Sequence, residues 1–442
     1  MYIKVNDRPT ILSYFSFAIC CTPLFFFSCT ISKQISKQAD KILLNDTAIR
    51  SGHMGISIYE PATGKYWYNH DAEKYFVPAS NTKLFTLYAG LKYLGDTLAG
   101  LEYNVHDSTA EIYPTGDPTF LHPDFISQPV LDFLKKQRTI IINPTQPINI
   151  YGPGWAWDDY QDSYMVPRAA FPMYGNLAMI KWINKDSICI YPRYFNGIIG
   201  ETKKLTNGFT LKKKFGDNIL SFYNGNDRYK TIPFEPDMVT GIKLLMDTLK
   251  NENIYSSKSP LPNTSHGRKI IYSRPSDSLF IPMMHDSDNF FAEQTLLMVS
   301  KKKLGIMDDE KIISELLASD LKEIPQKPRW VDGSGLSRYN MFTPKSFVYL
   351  LNKLKTDFGF ERMKHILPTG GTGTLKNYYK SNRNHIYAKT GTLSNHVALS
   401  GYIITHKKKL LIFSILANHF QTGATPIRIA IEQFIVGIIK KY

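Results

Sequence analysis

At 442 residues, with 43% hydrophobic and 21% charged residues, the chain has the length and composition of a folded globular protein of about two or three domains. Its 53 lysines and arginines exceed its 38 aspartates and glutamates, which gives a formal net charge of +15. Such a surplus is compatible with nucleic acid, an anionic membrane surface or an acidic polymer as partner. The lysines are scattered and no nucleic-acid-binding motif is present, so we predict no nucleic-acid partner.

The first residues have the pattern of a secretory signal. Two basic residues precede "ILSYFSFAICCTPLFFF", an apolar run that is too short and too interrupted by proline for a membrane span. The run ends in "FFSC", which resembles a lipoprotein signal, although an ordinary cleaved signal is the alternative. We therefore predict a signal peptide over residues 1–28, lipidation of Cys29 and a polar tether over residues 29–52. The protein would then be exported, periplasmic and anchored to a membrane by lipid.

The cysteine count leaves no internal disulfide in the mature protein. Removal of the predicted signal takes away Cys20 and Cys21, and acylation of Cys29 would leave Cys189 without a partner. The exported domain must therefore be stabilised by its hydrophobic core. No His/Cys cluster has the spacing of metal ligands, and we predict no metal site.

Regular patterns begin after the predicted tether. "MGISIYE" and "KYWYNH" flank the turn sequence "PATG", which predicts a β-hairpin. Apolar residues recur at helical spacing from Leu84 to Leu94, which predicts a helix from about Ser80 to Gly95. Ser80 lies in its first turn, with Lys83 one turn further along the same face. By itself the stretch "PASNTKLFT" fits either a helix cap followed by a solvated lysine or a catalytic pair.

The C-terminal part mirrors the N-terminal hairpin and helix. Three strand-like runs, "HIYAKTG", "VALSGYIIT" and "LLIFSILAN", precede an apolar closing helix. We predict an α/β fold in which both chain ends form one antiparallel sheet flanked by helices, over residues 53–98 and 268–442. Residues 99–267 are rich in Gly, Pro, Asn and aromatic residues with short alternating runs, which predicts a mostly β insertion of one unit or two small modules.

Three short motifs occur in a fixed order along the chain. They are S-x-x-K at residues 80–83, S-D-N at 287–289 and K-T-G at 389–391. Each has an ordinary structural explanation, because serine and aspartate cap helices and K-T-G can end an exposed strand. Together, each on the expected element, they resemble the active-site motifs of penicillin-binding proteins and class A β-lactamases.

The spacing narrows this resemblance. About two hundred residues separate the first two motifs, which resembles the class C low-molecular-mass penicillin-binding proteins, the D-alanyl-D-alanine carboxypeptidase/endopeptidase family. The stretches "GDPTF", "GPGWAWDDY", "VDGSGLSRYNMFTP" and "GTGTLKNYY" resemble that family too, so the resemblance covers nearly the whole mature chain. One departure is Thr372, where the family often has an acidic residue. The implied fold is a transpeptidase/β-lactamase-like domain split by an insertion.

Amide cleavage through a serine requires a nucleophile, a proton acceptor, a proton donor for the leaving amine and an oxyanion site. Ser80 is the predicted nucleophile, and Lys83 can take its proton if the amine is neutral. Burial near Lys389 and the positive end of the helix would lower the pKa of Lys83 in that direction. This chemistry requires no metal or other cofactor.

The family resemblance implies roles for the second motif and for the oxyanion site. Ser287 would relay a proton to the leaving amine, and Asn289 would hold a backbone amide of the substrate. Asp288 would stabilise the loop. The backbone N–H groups of Ser80 and Thr392 would form the oxyanion hole.

The resemblance also implies how the third motif binds substrate. Lys389 and Thr390 would bind the terminal carboxylate of a D-Ala-D-Ala stem peptide. Gly391 has no Cβ, so the substrate can lie against the strand edge. The stretch from Asp332 to Gly335 is either a tight turn or a wall of the site, and we favour the turn.

We therefore predict a serine D-Ala-D-Ala carboxypeptidase/endopeptidase that acts on peptidoglycan through an acyl-enzyme and is covalently inhibited by β-lactams. A β-lactamase is one alternative, although no E-x-x-L-N stretch supplies a water-activating carboxylate. Another is a penicillin-recognising sensor or scaffold that acylates without turnover. A basic polymer-binding protein with a degenerate site conflicts with three intact motifs. The sequence leaves the balance between carboxypeptidase and endopeptidase activity open.

Overall fold

The computed structural model describes residues 23–185, 187–257 and 267–442. Residues 1–22 of the predicted signal peptide lie outside the described residues, and so does the side chain of Cys29. In the part of the chain that is described, no helix combines the length and hydropathy needed to cross a membrane.

The described chain contains sixteen strands and ten α-helices. The strands are β1 (His53–Glu60), β2 (Lys65–His70), β3 (Thr97–His106), β4 (Thr109–Pro114), β5 (Thr139–Ile142), β6 (Leu177–Asn184), β7 (Ser187–Tyr191), β8 (Ile199–Thr202), β9 (Phe209–Lys213), β10 (Leu220–Asn224), β11 (Tyr229–Pro233), β12 (Ile254–Ser256), β13 (Lys269–Pro275), β14 (Ile386–Leu393), β15 (His396–Ile404) and β16 (Leu410–Asn418). The helices are α1 (Pro23–Ala39), α2 (Lys83–Tyr93), α3 (Pro129–Leu134), α4 (Met238–Leu249), α5 (Asp277–His285), α6 (Asn289–Leu304), α7 (Asp309–Ala318), α8 (Pro344–Phe358), α9 (Phe360–Ile366) and α10 (Ala424–Lys441).

The central sheet is built from both ends of the chain. Its strand order is β14-β15-β16-β1-β2, and every neighbouring pair is antiparallel. The N-terminal hairpin joins the C-terminal strands through β1 and β16, with Ser57 opposite Ser414. The predicted antiparallel sheet from both chain ends is confirmed. The strand β14, which carries the K-T-G motif, lies at one edge of the sheet.

Both faces of this sheet are buried under helices. On β16, Ile412 and Leu416 pack with α2, α5, α6, α8 and α9, whereas Phe413 and Ile415 pack with α1 and α10 on the other face. Successive side chains of a strand point to opposite faces, so a strand covered on both sides is apolar at nearly every position. This is why "LLIFSILAN" lacks the polar alternation of a half-exposed strand, and the predicted flanking helices are confirmed.

The structure differs from the predicted polar tether. Most of this segment is helical, in α1 and in a π-helical turn over Asp40–Leu44, and the side chains of Ile35, Ala39 and Leu43 are fully buried beside α10. The Gln38 side-chain amide also donates to the carbonyl of Phe434 in α10, at 3.2 Å. The apolar residues recur every four positions, which places them on one helix face. The many polar residues between them hid this pattern, because they occupy the solvent side.

The region between α2 and α5 is mostly β-structure, in three sheets. A five-stranded sheet has the order β12-β5-β4-β3-β13, and two three-stranded sheets have the orders β8-β10-β9 and β11-β6-β7. Because β3 begins at Thr97 and pairs with β13, which ends at Pro275, the first sheet extends slightly beyond both ends of the segment 99–267. The division into a catalytic domain and an inserted domain stays a prediction.

Candidate active site

Ser80 lies in a short 3₁₀ turn, Ala79–Thr82, that continues directly into α2. The preceding residue, Ala79, has a φ of 48°, a backbone conformation that costs energy in a non-glycine residue. Lys83 is the first residue of α2, and its Nζ donates to the Ser80 Oγ at 2.9 Å. The structure therefore brings the predicted pair into direct contact.

The ammonium group of Lys83 is entirely enclosed. Its Nζ also donates to Asn289 Oδ1 at 2.6 Å and to the carbonyl oxygen of Ser334 at 2.7 Å, and the residue has 0% exposure. Three acceptors match the three N–H bonds of an ammonium group. A helix cap followed by a solvated lysine is thus excluded.

Burial lowers the pKa of Lys83 to about 8, because a charged amine is disfavoured away from water. The carboxylates of Asp332, Asp288 and Glu293 oppose this effect. Burial, which was expected above, is the main cause of the lowered pKa, and the largest charge effects come from the three carboxylates. An appreciable fraction of the amine is therefore neutral near pH 7 to 8 and able to accept a proton.

A second serine–lysine pair faces the first. Ser287 follows α5 with a φ of 61°, and its Oγ accepts from Lys389 Nζ at 2.7 Å. The Lys389 Nζ also donates to the carbonyl of Thr390 at 2.9 Å, and the residue has 0% exposure. Burial, together with the positive charge of Lys83, holds the pKa of Lys389 well below its ordinary value. Both lysines of the motifs are thus buried amines bonded to a serine hydroxyl.

The remaining residues of the S-D-N motif stabilise this arrangement. Asp288 caps α6, because its Oδ1 accepts from the backbone N–H of Phe291 at 2.8 Å. Asn289 has both ends of its side-chain amide engaged. Its Oδ1 accepts from Lys83, and its Nδ2 donates to the carbonyl of Tyr164 at 2.8 Å. Asn289 therefore contacts the candidate base directly.

Gly391 lets β14 approach the turn that carries Ser80. A Cβ added to Gly391 would lie 2.6 Å from the carbonyl oxygen of Pro78, which is closer than side chains tolerate. The space that glycine leaves free is therefore filled by the nucleophile's own turn, and the expectation that substrate lies against this strand edge stays a prediction. The result is a short separation between Ser80 and the edge strand.

Ser80 opens into a cleft with roughly 800 Å³ of empty space. The predicted residues that line it are Ser80, Ser287, Thr390 and Thr392. Those that we did not predict are His285, Asp286, Gly373, Thr374, Lys376 and Arg428. Three of the six belong to the stretch "GTGTLK", which the family resemblance singled out without a role. No sequence signal marks Arg428, which lies on α10, far along the chain from every motif.

Sequence reasoning also missed the side chain that fixes the backbone of Ser334, whose carbonyl accepts from Lys83. The backbone N–H of Ser334 donates to Glu293 Oε1 at 2.7 Å. The other carboxylate oxygen of Glu293 accepts from Arg168 Nη2 at 2.7 Å and from its Nε at 2.9 Å. Arg168 has 0% exposure and pairs with Asp309 as well, at 2.9 Å. A continuous buried chain of polar contacts thus runs from Arg168 to Lys83.

Asp332 fixes the turn that presents this carbonyl. Its carboxylate accepts from the backbone N–H groups of Gly335, at 2.8 Å, and of Ser337, at 2.6 Å. It also accepts from the Trp155 indole N–H at 3.0 Å. The segment is therefore a tight turn, as favoured above, and it also lines the lysine's pocket. "PGWAW" contributes to packing against this turn.

Among the described residues, no group of three or more His, Cys, Asp or Glu side chains could hold a metal ion. The groups that the structure brings together around the cleft include two serines and two buried lysines. A serine hydroxyl bonded to a buried lysine is the arrangement found in serine hydrolases whose base is a lysine instead of a histidine.

The chain belongs to the D-Ala-D-Ala carboxypeptidase 3 (S13) family, which matches residues 35–208 and 252–436. It is similar to the penicillin-sensitive carboxypeptidase A of Dictyostelium discoideum, with 22% identity over 464 residues, or 87% of this chain and 86% of the relative. It is also similar to the D-alanyl-D-alanine carboxypeptidase of Actinomadura sp. (strain R39), with 22% identity over 460 residues, or 88% of this chain and 81% of the relative. The predicted family and enzyme class are confirmed: this is a serine-type carboxypeptidase.

Solved structures show the same fold. Penicillin-binding protein 4 from Haemophilus influenzae matches with a TM-score of 0.73 at 17% identity, covering 92% of this chain and 99% of that chain. The predatory peptidoglycan endopeptidase Bd3459 from Bdellovibrio bacteriovorus matches with a TM-score of 0.52 at 14% identity, and the match covers 88% of this chain and 95% of that chain. The predicted fold class is confirmed.

We expect Arg168→Met to lower the free energy of unfolding by about 3 to 5 kcal/mol, because it leaves two buried carboxylates without their cation. Urea denaturation would measure this loss. The control is Arg362→Met. The guanidinium of Arg362 is partly exposed and pairs with Asp277, so this substitution should lower the free energy of unfolding by about 1 kcal/mol or less. Similar small losses in both variants would contradict a structural role for the buried pair.

Proposed function

We propose that this protein hydrolyses D-Ala-D-Ala stem peptides of peptidoglycan through an acyl-enzyme on Ser80, with Lys83 as the base. The observation that carries this proposal is the 2.9 Å contact between a serine hydroxyl on the cleft wall and a lysine amine with no solvent exposure. Burial of a lysine amine costs free energy and is not required for helix formation. Here it lowers the pKa of Lys83 towards the range in which an amine can act as a base.

In the first step, the Ser80 Oγ attacks the carbonyl carbon of the penultimate D-alanine, and its proton passes to Lys83 Nζ. The C–N bond then breaks as the leaving amine of the last D-alanine takes a proton from the Ser287 hydroxyl. The ammonium of Lys389 returns a proton to Ser287 across the 2.7 Å contact between them. Before the second step, the extra proton on Lys83 passes through solvent to Lys389, which restores the starting charge of both amines. Water then attacks the Ser80 ester while the neutral Lys83 amine takes a proton from it and delivers that proton to the Ser80 oxygen as the C–O bond breaks, which releases the shortened peptide and restores the serine.

The backbone groups would stabilise the oxyanion that forms in both steps. We propose the N–H groups of Ser80 and Thr392, both on the cleft wall, as its hydrogen-bond donors. The outer edge of β14 is covered over its first half by Thr369, which bridges to Tyr387. The half from Thr390 to Thr392 lines the cleft, where an extended peptide can pair with it. Asn289 would position the peptide from the opposite side while it holds Lys83.

The location of the protein is part of the proposal. We propose that residues 1–28 are removed and that Cys29 carries the lipid, so that the enzyme faces the periplasm on a membrane. Because Ile31 of α1 already packs against the buried cluster that includes α10, only about two residues would separate the anchor from the folded domain. At 1.5 Å per helical residue this is roughly 3 Å, so the domain would lie close to the membrane surface.

We expect penicillin acylation of the wild type to rise with pH and to reach half its plateau near pH 8, since the base must be neutral. Lys83→Met keeps the length of the side chain but removes the amine, and it should acylate at least about a hundredfold more slowly at every pH. Stopped-flow or gel-based labelling would measure both, with Ser80→Ala as the unlabelled control. Wild-type labelling rates in Lys83→Met would remove this lysine from the mechanism.

We expect the purified protein to release D-alanine from uncross-linked muropeptides with repeated turnover, because the cleft is open to water for deacylation. Mass analysis of products from cross-linked and uncross-linked muropeptides would measure carboxypeptidase and endopeptidase activity separately. A single stoichiometric burst without turnover would instead indicate a penicillin-recognising sensor.

We expect cells that express the wild type to incorporate labelled palmitate into the protein and to retain it in the membrane fraction. Cys29→Ser should lose both the label and the membrane association, whereas Cys189→Ser, which changes the exposed cysteine of β7, should lose neither. An unlabelled, soluble wild type with another mature N-terminus would refute the lipoprotein proposal.

A further inference from the structure

Two cations that line the cleft, Lys376 and Arg428, have no part in the mechanism above. Arg428 lies on the second turn of α10, and its Nη2 donates a hydrogen bond to Thr392 Oγ1. Both side chains line the cleft together with Ser80 and Thr390. A helix from the far face of the sheet thus reaches over the edge strand into the site.

Arg428 has no carboxylate partner among the described residues. The ion pairs of the described chain do not include it. Asp286 and Lys376 also line the cleft, both exposed to solvent. A guanidinium keeps its charge at every pH that a protein tolerates and presents a planar fork of donors, which suits it to bind a carboxylate.

Lys389, to which the family resemblance gives the terminal carboxylate, is poorly placed for that contact. Its Nζ already donates to Ser287 and to the carbonyl of Thr390, and its side chain has no solvent exposure. Two of its three N–H bonds are therefore used within the protein. A cation on the cleft wall whose N–H groups are less engaged is better placed to bind the carboxylate.

We propose that Arg428 binds the terminal carboxylate of the leaving D-alanine, with Thr392 as a shared hydrogen-bonding group between them. This inference rests on the proposed function. The hydroxyl of Thr392 accepts from Arg428, so its own O–H proton is free to point towards the carboxylate. Arginine and threonine would then hold the two carboxylate oxygens, next to the strand that binds the peptide backbone. The arginine is a specificity-determining residue for substrates with a free C-terminus.

The test compares a matched pair of peptides, an acyl-D-Ala-D-Ala and the same peptide with a C-terminal amide. We expect Arg428→Gln to lower kcat/KM for the carboxylate peptide about 10- to 100-fold, the range expected for a hydrogen bond to a charged group. The loss on the amide peptide should be at least about tenfold smaller. Arg428→Lys should recover part of the preference. Arg383→Gln, at an exposed arginine outside the cleft lining, should change neither value.

The outcomes separate this inference from the proposed function. Equal losses of Arg428→Gln on both peptides would overturn the inference and assign the arginine a structural role through Thr392. No loss on either peptide would also overturn it, while hydrolysis by the wild type would leave the proposed function intact. If the wild type cleaves neither peptide, the proposed function fails and this inference fails with it. Melting temperatures of all variants would identify losses that come from unfolding.

Discussion

The burial of the Lys83 ammonium group is the constraint on which the rest of the site depends. A cation removed from water is tolerated only when hydrogen-bond acceptors replace its hydration. One acceptor, Ser80, is three residues away, whereas Asn289 and Ser334 are 206 and 251 residues away along the chain. Each acceptor belongs to a different structural element. The start of α2, the start of α6 and the loop before α8 must therefore converge on one nitrogen atom.

The region between α2 and α5 takes part in this convergence. Arg168 neutralises Glu293, which in turn holds the backbone of Ser334. Trp155 donates to Asp332, and Asp332 fixes the turn that follows it. Because these contacts are buried, they keep their geometry and are little screened by solvent. Segments far from the motifs thus support the position of the Lys83 amine.

The cations of the site divide into two kinds by burial and chemistry. Lys83 and Lys389 are enclosed, and burial lowers the pKa of both, which makes the neutral amine more accessible than in a solvated lysine. Arg428 lines the open cleft, and a guanidinium does not lose its proton. Lysine therefore suits the positions that transfer protons, and arginine suits a position that needs a permanent positive charge.

The sequence alone determined the elements of local origin. The strands and helices at the two ends of the chain indicated one antiparallel sheet flanked by helices, and the order of the three motifs indicated the nucleophile, its base and the family. The cap that Asp288 makes on α6 was also predictable, because it depends on residues three positions apart. Such features depend on interactions between residues that are close together in the chain, so the sequence alone is enough to predict them.

Only the tertiary structure decided the features that join distant segments. The period of four in α1 became a buried face only because α10 lies against it. The close approach of the Pro78 carbonyl to Gly391 is likewise a contact between distant segments that the sequence did not indicate. No local sequence pattern indicates the contacts of Arg168 and Arg428. A charged residue is predicted to be exposed to solvent unless its partner is known. Their roles come from the packing of elements that lie more than a hundred residues apart, or on opposite faces of the sheet, and no short-range periodicity encodes that packing.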